Sequence, residues 1–450
     1  MTAHPADSRI FGHLWGTDEV RALLDDEGRI SAWLEILATL AEAQAQVDLV
    51  PPEAARGIRA HARLAEIDLE QVARETRTSG HSTMGLIRAL RASLPESARE
   101  WVYYGATVQD LSDTWASLLT VQVGDIVRRD VTAMRDRAGA LAAEHRDTPM
   151  CGRTHGQPGQ PISFGFKAAG WAAELDRQLV RLAQGRARWE VVQLGGALGT
   201  MQFWGGAAPA LLRAFADRLG LGTPEIAWLT ARDRVAEFVT LLASVTATIG
   251  RIGNEVYQLQ RPEIGEVREG FSAGTVGSIT MPHKRNPERS EQLVTLSRVV
   301  RAQAGLALEG MVGEHERDGR AWKTEWLLLP EACLATAASC GLGVEMLAGL
   351  EVDADRMAAN LAGHRGYLMS EAVLRALSER LGKHTAHDVT YAASMKGIDA
   401  GQDFRTALRA DRRLDVIDDA ELDALLDVRT ALGTAAGFVD RVLAGLARHP

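Results

Sequence analysis

The stretch Ser272 to Glu291, SAGTVGSITMPHKRNPERSE, gathers the residue types with which an enzyme handles an anionic substrate. Gly274 and Gly277 predict a loop that can move, with Ser278 at its tip. Lys284, Arg285 and Asn286 follow with two cations and an amide. A hydroxyl held near fixed positive charge suits chemistry beside a carboxylate. The bland reading is a solvated turn that starts the next helix. Cations are unfavourable at a helix N-terminus, so their placement favours a functional use. Glu291, five residues after Asn286, is placed to approach a histidine from another segment.

Three other polar, glycine-containing breaks interrupt long helical patterns, at 103–114, 152–161 and 195–200. Breaks at helix ends are where binding and catalytic groups gather. In GRTHGQPGQPISFG, His155 lies between Thr154 and Gln157, side chains able to bond a carboxylate or orient an imidazole. A lone histidine is more often structural, and this polar neighbourhood brings the two readings level. His81, in TSGHS, carries a weaker signal. EHERD, Glu314 to Asp318, lacks HExxH spacing, so a metalloprotease-type site is unsupported and charge alone makes it a solvated helix end.

The elements that must position these groups read as helical almost throughout. Trp33, Leu34, Leu37, Leu40 and Ala41 share one face, and Pro51-Pro52 ends that pattern. Residues 54–66 and 84–93 read as short helices, separated by the polar break 76–82. Much longer patterns follow over 113–145, 164–188, 233–259, 288–311 and 325–350. Over 233–259, Val235, Phe238, Val239, Leu242, Val245, Ile249, Ile252 and Val256 recur at steps of three and four. A helix of that length spans about 40 Å. Several of these helices are apolar on more than one side and so need burial on more than one side. Association through an elongated bundle is the expectation. The division is 1–104, 105–353 and 354–450, all helical, with short β-like pieces near Glu190 to Leu194.

At 450 residues the chain exceeds one ordinary core. Its 24 % charged and 46 % apolar content is that of a globular protein. A net charge of −9 argues against nucleic acid as partner, yet leaves room for a local basic pocket. Cys151, Cys333 and Cys340 form no CxxC pair, so reduced thiols in a cytoplasmic protein are expected. The first residues show no signal pattern. No run of 18 apolar residues occurs, so no membrane span is expected.

GSITMPHKRNP resembles the signature loop of the aspartase/fumarase superfamily, usually GSSxMPxKxNP. GATVQDLSDT resembles that superfamily's first conserved region and GRTHGQP its second, in the expected order along nearly the whole chain. EHERDGRAWKTEWLLLPEA and RDRVAEF look most like the branch containing adenylosuccinate lyase and 3-carboxy-cis,cis-muconate cycloisomerase. The resemblance implies an all-α, three-domain fold with a central long five-helix bundle. It also implies a homotetramer with a 20-helix core, active sites shared by three subunits, and no metal or organic cofactor.

The resemblance also assigns roles. Ser278 matches the general base and Glu291 the carboxylate partner of His155, which protonates the leaving group or relays charge. Lys284 and Asn286 match the groups that hold the substrate carboxylate and its aci-carboxylate intermediate. Thr107, Gln109, Thr154 and Gln157 fall at carboxylate-binding positions, and His81 and Arg234 at further substrate-binding ones. Trp326 stands where adenylosuccinate lyases usually carry an arginine for the nucleotide phosphate, a loss worth roughly 2–5 kcal/mol of binding. Ala231, Val108 and Tyr103 are further departures. The similar cycloisomerases replace the second-motif histidine by tryptophan, whereas this chain keeps His155. The implied activity is C–N β-elimination of a nitrogen-substituted succinate, a small dicarboxylate, to release fumarate. A lactonising cycloisomerase of aromatic catabolism is the alternative. A catalytically dead scaffold is disfavoured by retention of Ser278, Lys284, Asn286, His155 and Glu291.

Overall fold

The computed structural model describes residues 4–271, 274 and 276–447. Of the opening stretch, Ser272, Ala273 and Thr275 lie outside the described residues. Five long helices organise the chain: α1 (Val108–Glu144), α2 (Phe164–Trp189), α3 (Asp233–Leu259), α4 (Glu288–Glu309) and α5 (Gly319–Ala348). The α3 boundaries coincide with those read from apolar periodicity. The α5 start lies six residues before the expected 325, because the WKTEW segment is helical too. α3 and α5 are long and apolar enough to cross a membrane, but 72 % and 61 % of their most apolar windows are buried in the protein itself.

The chain packs into two compact units. The first comprises residues 1–130, 178–250 and 294–341; the second comprises 131–177, 251–293 and 342–450. Each long helix contributes residues to both.

In the first unit, α1, α3 and α5 are tied by charge as well as by apolar packing. Arg232, just before α3, donates to Asp113 Oδ2 of α1 at 2.8 Å and to Glu325 Oε1 of α5 at 2.8 Å. Arg232 and Asp113 are both only 2 % exposed. Gln178 of α2 bonds Thr248 of α3 at 2.9 Å. The short helix Leu69–Ser79 extends through most of the polar break expected at 76–82. Asp68 caps its start, Gly80 ends it in a left-handed conformation, and only Val72 is buried.

In the second unit, residues 149–163 form a hairpin of β1 (Pro149–Thr154) and β2 (Gln157–Ser163), with a bulge between Cys151 and Arg153. The stretch 152–161, a polar break by its sequence, is paired strand on both sides of a tight turn. Arg153 makes a bidentate pair with Glu266, each oxygen at 2.8 Å, and this seats the hairpin on the chain that follows α3. The β-like piece expected near Glu190 amounts to a single bridge, Val191 to Gly222.

Candidate active site

The first unit builds a polar cluster around the N-terminus of α1. The turn before it runs through left-handed backbone at Tyr103 (φ 59°) and Gly105 (φ 82°). A Cβ at Gly105 would lie 2.4 Å from Phe203, so the close approach requires glycine. Gln44 and the Trp204 indole both donate to the Tyr104 carbonyl, at 2.6 and 3.1 Å, and hold this turn in place.

Asp110, 3 % exposed, receives four donors. They are the backbone N–H of Thr107 (3.0 Å), Gly195 (2.7 Å) and Gly196 (3.0 Å), and Gln193 Nε2 (3.2 Å). Burial pushes its carboxyl up to about 6, against the pull of those donors. One carboxylate thus joins two of the breaks read from sequence, 103–114 and 195–200.

Thr107 Oγ1 accepts from Arg317 Nη1 and Nη2 at 3.1 and 3.2 Å. Arg317 therefore belongs to this cluster, and EHERD is more than a solvated helix end. Tyr103 is largely buried; burial first, and Asp110's charge second, raise its phenol above the ordinary range. His81, expected as a substrate-binding group, sits in the exposed turn after Gly80, with Nδ1 3.3 Å from Thr83 Oγ1.

Two expected substrate-binding residues, Gln109 and Arg234, are engaged with the protein itself. Gln109 is fully buried, and its amide donates to Asp113 Oδ2 (3.0 Å) and to the Leu229 carbonyl (2.6 Å). With both amide hydrogens engaged it supports α1 and has no donor to offer a substrate carboxylate. Arg234 donates to the Arg188 carbonyl at the end of α2 and pairs with Glu225 at 3.3 Å. It caps a helix C-terminus.

The second unit carries the remaining residues. Thr154 pairs with Gln157 across a two-residue hairpin turn. His155 (φ 53°) and Gly156 (φ 74°) occupy its two left-handed positions, and all four residues are exposed. Lys284 and Asn286 line one cavity of about 710 Å³. Arg261, Arg268, Arg285 and Arg289 line it too, against Glu269 and Glu288, so the cavity is net basic. Ser278 is partly buried, and its Oγ accepts the Met281 N–H at 3.1 Å. Glu291 is exposed in the first turn of α4.

The expected hinges behave differently from one another. Gly274 (φ 92°) has open space where a Cβ would stand, whereas a Cβ at Gly277 would lie 2.4 Å from the Lys284 carbonyl oxygen. Gly277 is thus a close-packing position that brings the lysine back against the serine side of the loop. The expected clash of cations with a helix N-terminus does not arise, because α4 begins only at Glu288. Its first N–H groups go to a carboxylate: Glu269 accepts from Arg289 N at 3.2 Å and Ser290 N at 2.8 Å.

Comparison with known proteins gives the family of the chain. A family model described as "Lyase" matches residues 14–302, and one described as "Adenylosuccinate lyase C-terminus" matches 366–442. N-acetyl-S-(2-succino)cysteine lyase of Dickeya dadantii is 38 % identical over 98 % of each chain. 3-Carboxy-cis,cis-muconate cycloisomerase of Pseudomonas aeruginosa is 35 % identical over the full length of both. The crystal structure of a fumarate lyase from Mesorhizobium sp. BNC1 superposes with a TM-score of 0.90 at 34 % identity, covering 96 % of this chain and 98 % of that one. The chain is a lyase-family enzyme and belongs to the aspartase/fumarase superfamily, in the company of the adenylosuccinate lyases and carboxymuconate cycloisomerases.

Proposed function

We propose that this enzyme eliminates a heteroatom-linked substituent from a 2-substituted succinate and releases fumarate. Ser278, as the oxyanion, removes the proton from the carbon next to one carboxylate. Lys284 and Asn286 hold that carboxylate as it becomes the doubly charged aci-carboxylate. The bond to the substituent then breaks, and His155, supported by Glu291, protonates the departing atom. Thr107, Thr154 and Gln157 bind carboxylate, and His81 faces the leaving group. The observation that carries the reading is the basic cavity that Lys284 and Asn286 line.

The family resemblance implies nitrogen as the departing atom. The Dickeya relative is named for a succinate carried on sulfur. A thiol ionises near pH 8.5 and so departs with less help from an acid than an amine does. We take the S-succinyl thioether as the first substrate class and the N-succinyl amine as the second. The cycloisomerase reading is supported by the Pseudomonas relative and opposed by the retained His155.

The test is to incubate the enzyme with N-acetyl-S-(2-succino)cysteine, with N-succinyl amines and with 3-carboxy-cis,cis-muconate, following fumarate absorbance. Fumarate release from a succinyl conjugate is expected. Turnover of carboxymuconate alone overturns the proposal.

The same reading includes a cytoplasmic homotetramer of three-domain protomers (1–104, 105–353, 354–450), with active sites completed by three subunits. Exposed apolar side chains on the long helices, Phe166 and Val180 on α2, Leu306 and Leu308 on α4 and Leu327 on α5, support it. Light scattering on the purified enzyme gives the mass directly, and a monomer would remove it.

A further inference from the structure

His81 follows a helix end and carries little signal in sequence, yet one nitrogen of its ring meets two groups of Thr83. Its Nδ1 lies 3.4 Å from the Thr83 backbone N–H and 3.3 Å from Thr83 Oγ1. A backbone N–H can only donate, so Nδ1 is the acceptor. The Thr83 hydroxyl, 1 % exposed, then has one role open toward Nδ1, that of a second donor. Both hydrogens therefore run from Thr83 to His81.

With Nδ1 occupied as acceptor, the neutral ring carries its hydrogen on Nε2, on an exposed residue. Nε2 makes no bond among the described residues.

We propose that Thr83 is a positioning residue that fixes the tautomer of His81, so that it offers Nε2–H to the departing atom of the substrate. The use of that donor rests on the function proposed above; the tautomer itself does not. A heteroatom leaving group gathers negative charge as its bond to carbon breaks, and an N–H donor in place beforehand stabilises that charge without reorganisation. The other tautomer would present a lone pair to the same atom.

The full-length enzyme, labelled with ¹⁵N-histidine, gives the tautomer from the two ring nitrogen shifts at a pH where the ring is neutral. Subtracting the spectrum of His81→Gln assigns the signals. The expected result is a protonated Nε2 and an unprotonated Nδ1. Thr83→Val should move the ring toward a mixture, and Thr83→Ser should restore the wild-type pattern. With a succinyl conjugate, Thr83→Val should lower kcat about tenfold with KM little changed, the loss of one well-placed hydrogen bond. A wild-type ring protonated on Nδ1, or a Thr83→Val spectrum identical to wild type, overturns the inference. If the tautomer shifts in Thr83→Val while kcat stays at wild type, the tautomer assignment stands and the leaving-group role of His81 in the proposed function falls.

Discussion

The turn at 103–110 and the segment 276–289 both carry candidate substrate groups, and they are built in opposite ways. Around the turn, the chemistry-bearing groups are buried or half-buried and bonded to partners far away in sequence. Asp110 takes N–H groups from Gly195 and Gly196, and Thr107 takes Arg317. In the segment the groups are exposed or half-buried and their bonds are local: Ser278 to Met281, and Asn286 to Glu288 at 3.3 Å. Groups held by distant buried partners are set before substrate arrives. Groups held by neighbours in sequence can be re-aimed when an anion arrives, with few bonds to break. A frame of the first kind suits recognition, and a segment of the second kind suits a base that must approach a carbon acid.

The sharpest break of this comparison is Ser278→Ala. It should lower turnover by about 10³-fold, within the range for loss of a positioned base, and leave the unfolding midpoint unchanged because Ser278 has one local bond. Turnover near wild type would make the exposed segment a bystander.

Arg232→Ala tests the opposite kind of site. It leaves Asp113 and Glu325 buried without their cation and should destabilise the protein by about 3–5 kcal/mol, read from urea or thermal unfolding.

Asp110→Asn should have the smallest effect. Turning an amide toward donors costs roughly 1–3 kcal/mol. Its pH dependence carries more information. The folded carboxyl titrates near about 6, above the unfolded value of 3.8, so between these values the folded state holds more protons than the unfolded state. The Asp110 contribution is therefore most favourable at low pH and is lost as pH rises through about 6. The wild type should gain stability relative to Asp110→Asn between about pH 7 and pH 4. A flat difference would show that the four donors offset burial in full.

The parts legible in sequence follow the same divide. The helix Asp233–Leu259 was readable because its burial is one-dimensional: each turn of the period contributes an apolar residue. Leu69–Ser79 was not, since Gln71, Arg74 and Glu75 leave it polar and its start depends on the Asp68 cap. The hairpin at 149–163 hid behind Gly152, Pro158, Gly159 and Pro161, whose usual meaning is loop. Among the site residues, the serine segment announced itself because its residues are contiguous. Arg317 did not, because Thr107 lies 210 positions away. Gln109 misled for the same reason: its amide is claimed by the Leu229 carbonyl, 120 positions on. No pattern along the chain displays a hydrogen bond of that span.

The carboxylate of Glu269 that receives the first N–H groups of α4 has an effect on the segment between them. By joining Glu269 to Ser290, it closes the intervening residues into a ring, tied where the chain after α3 meets the helix bearing Glu291. For such a ring the entropy of closure grows only logarithmically with contour, about 0.6 kcal/mol per doubling. Lineages can therefore lengthen or shorten the serine segment, and so change what it touches, without unseating either end.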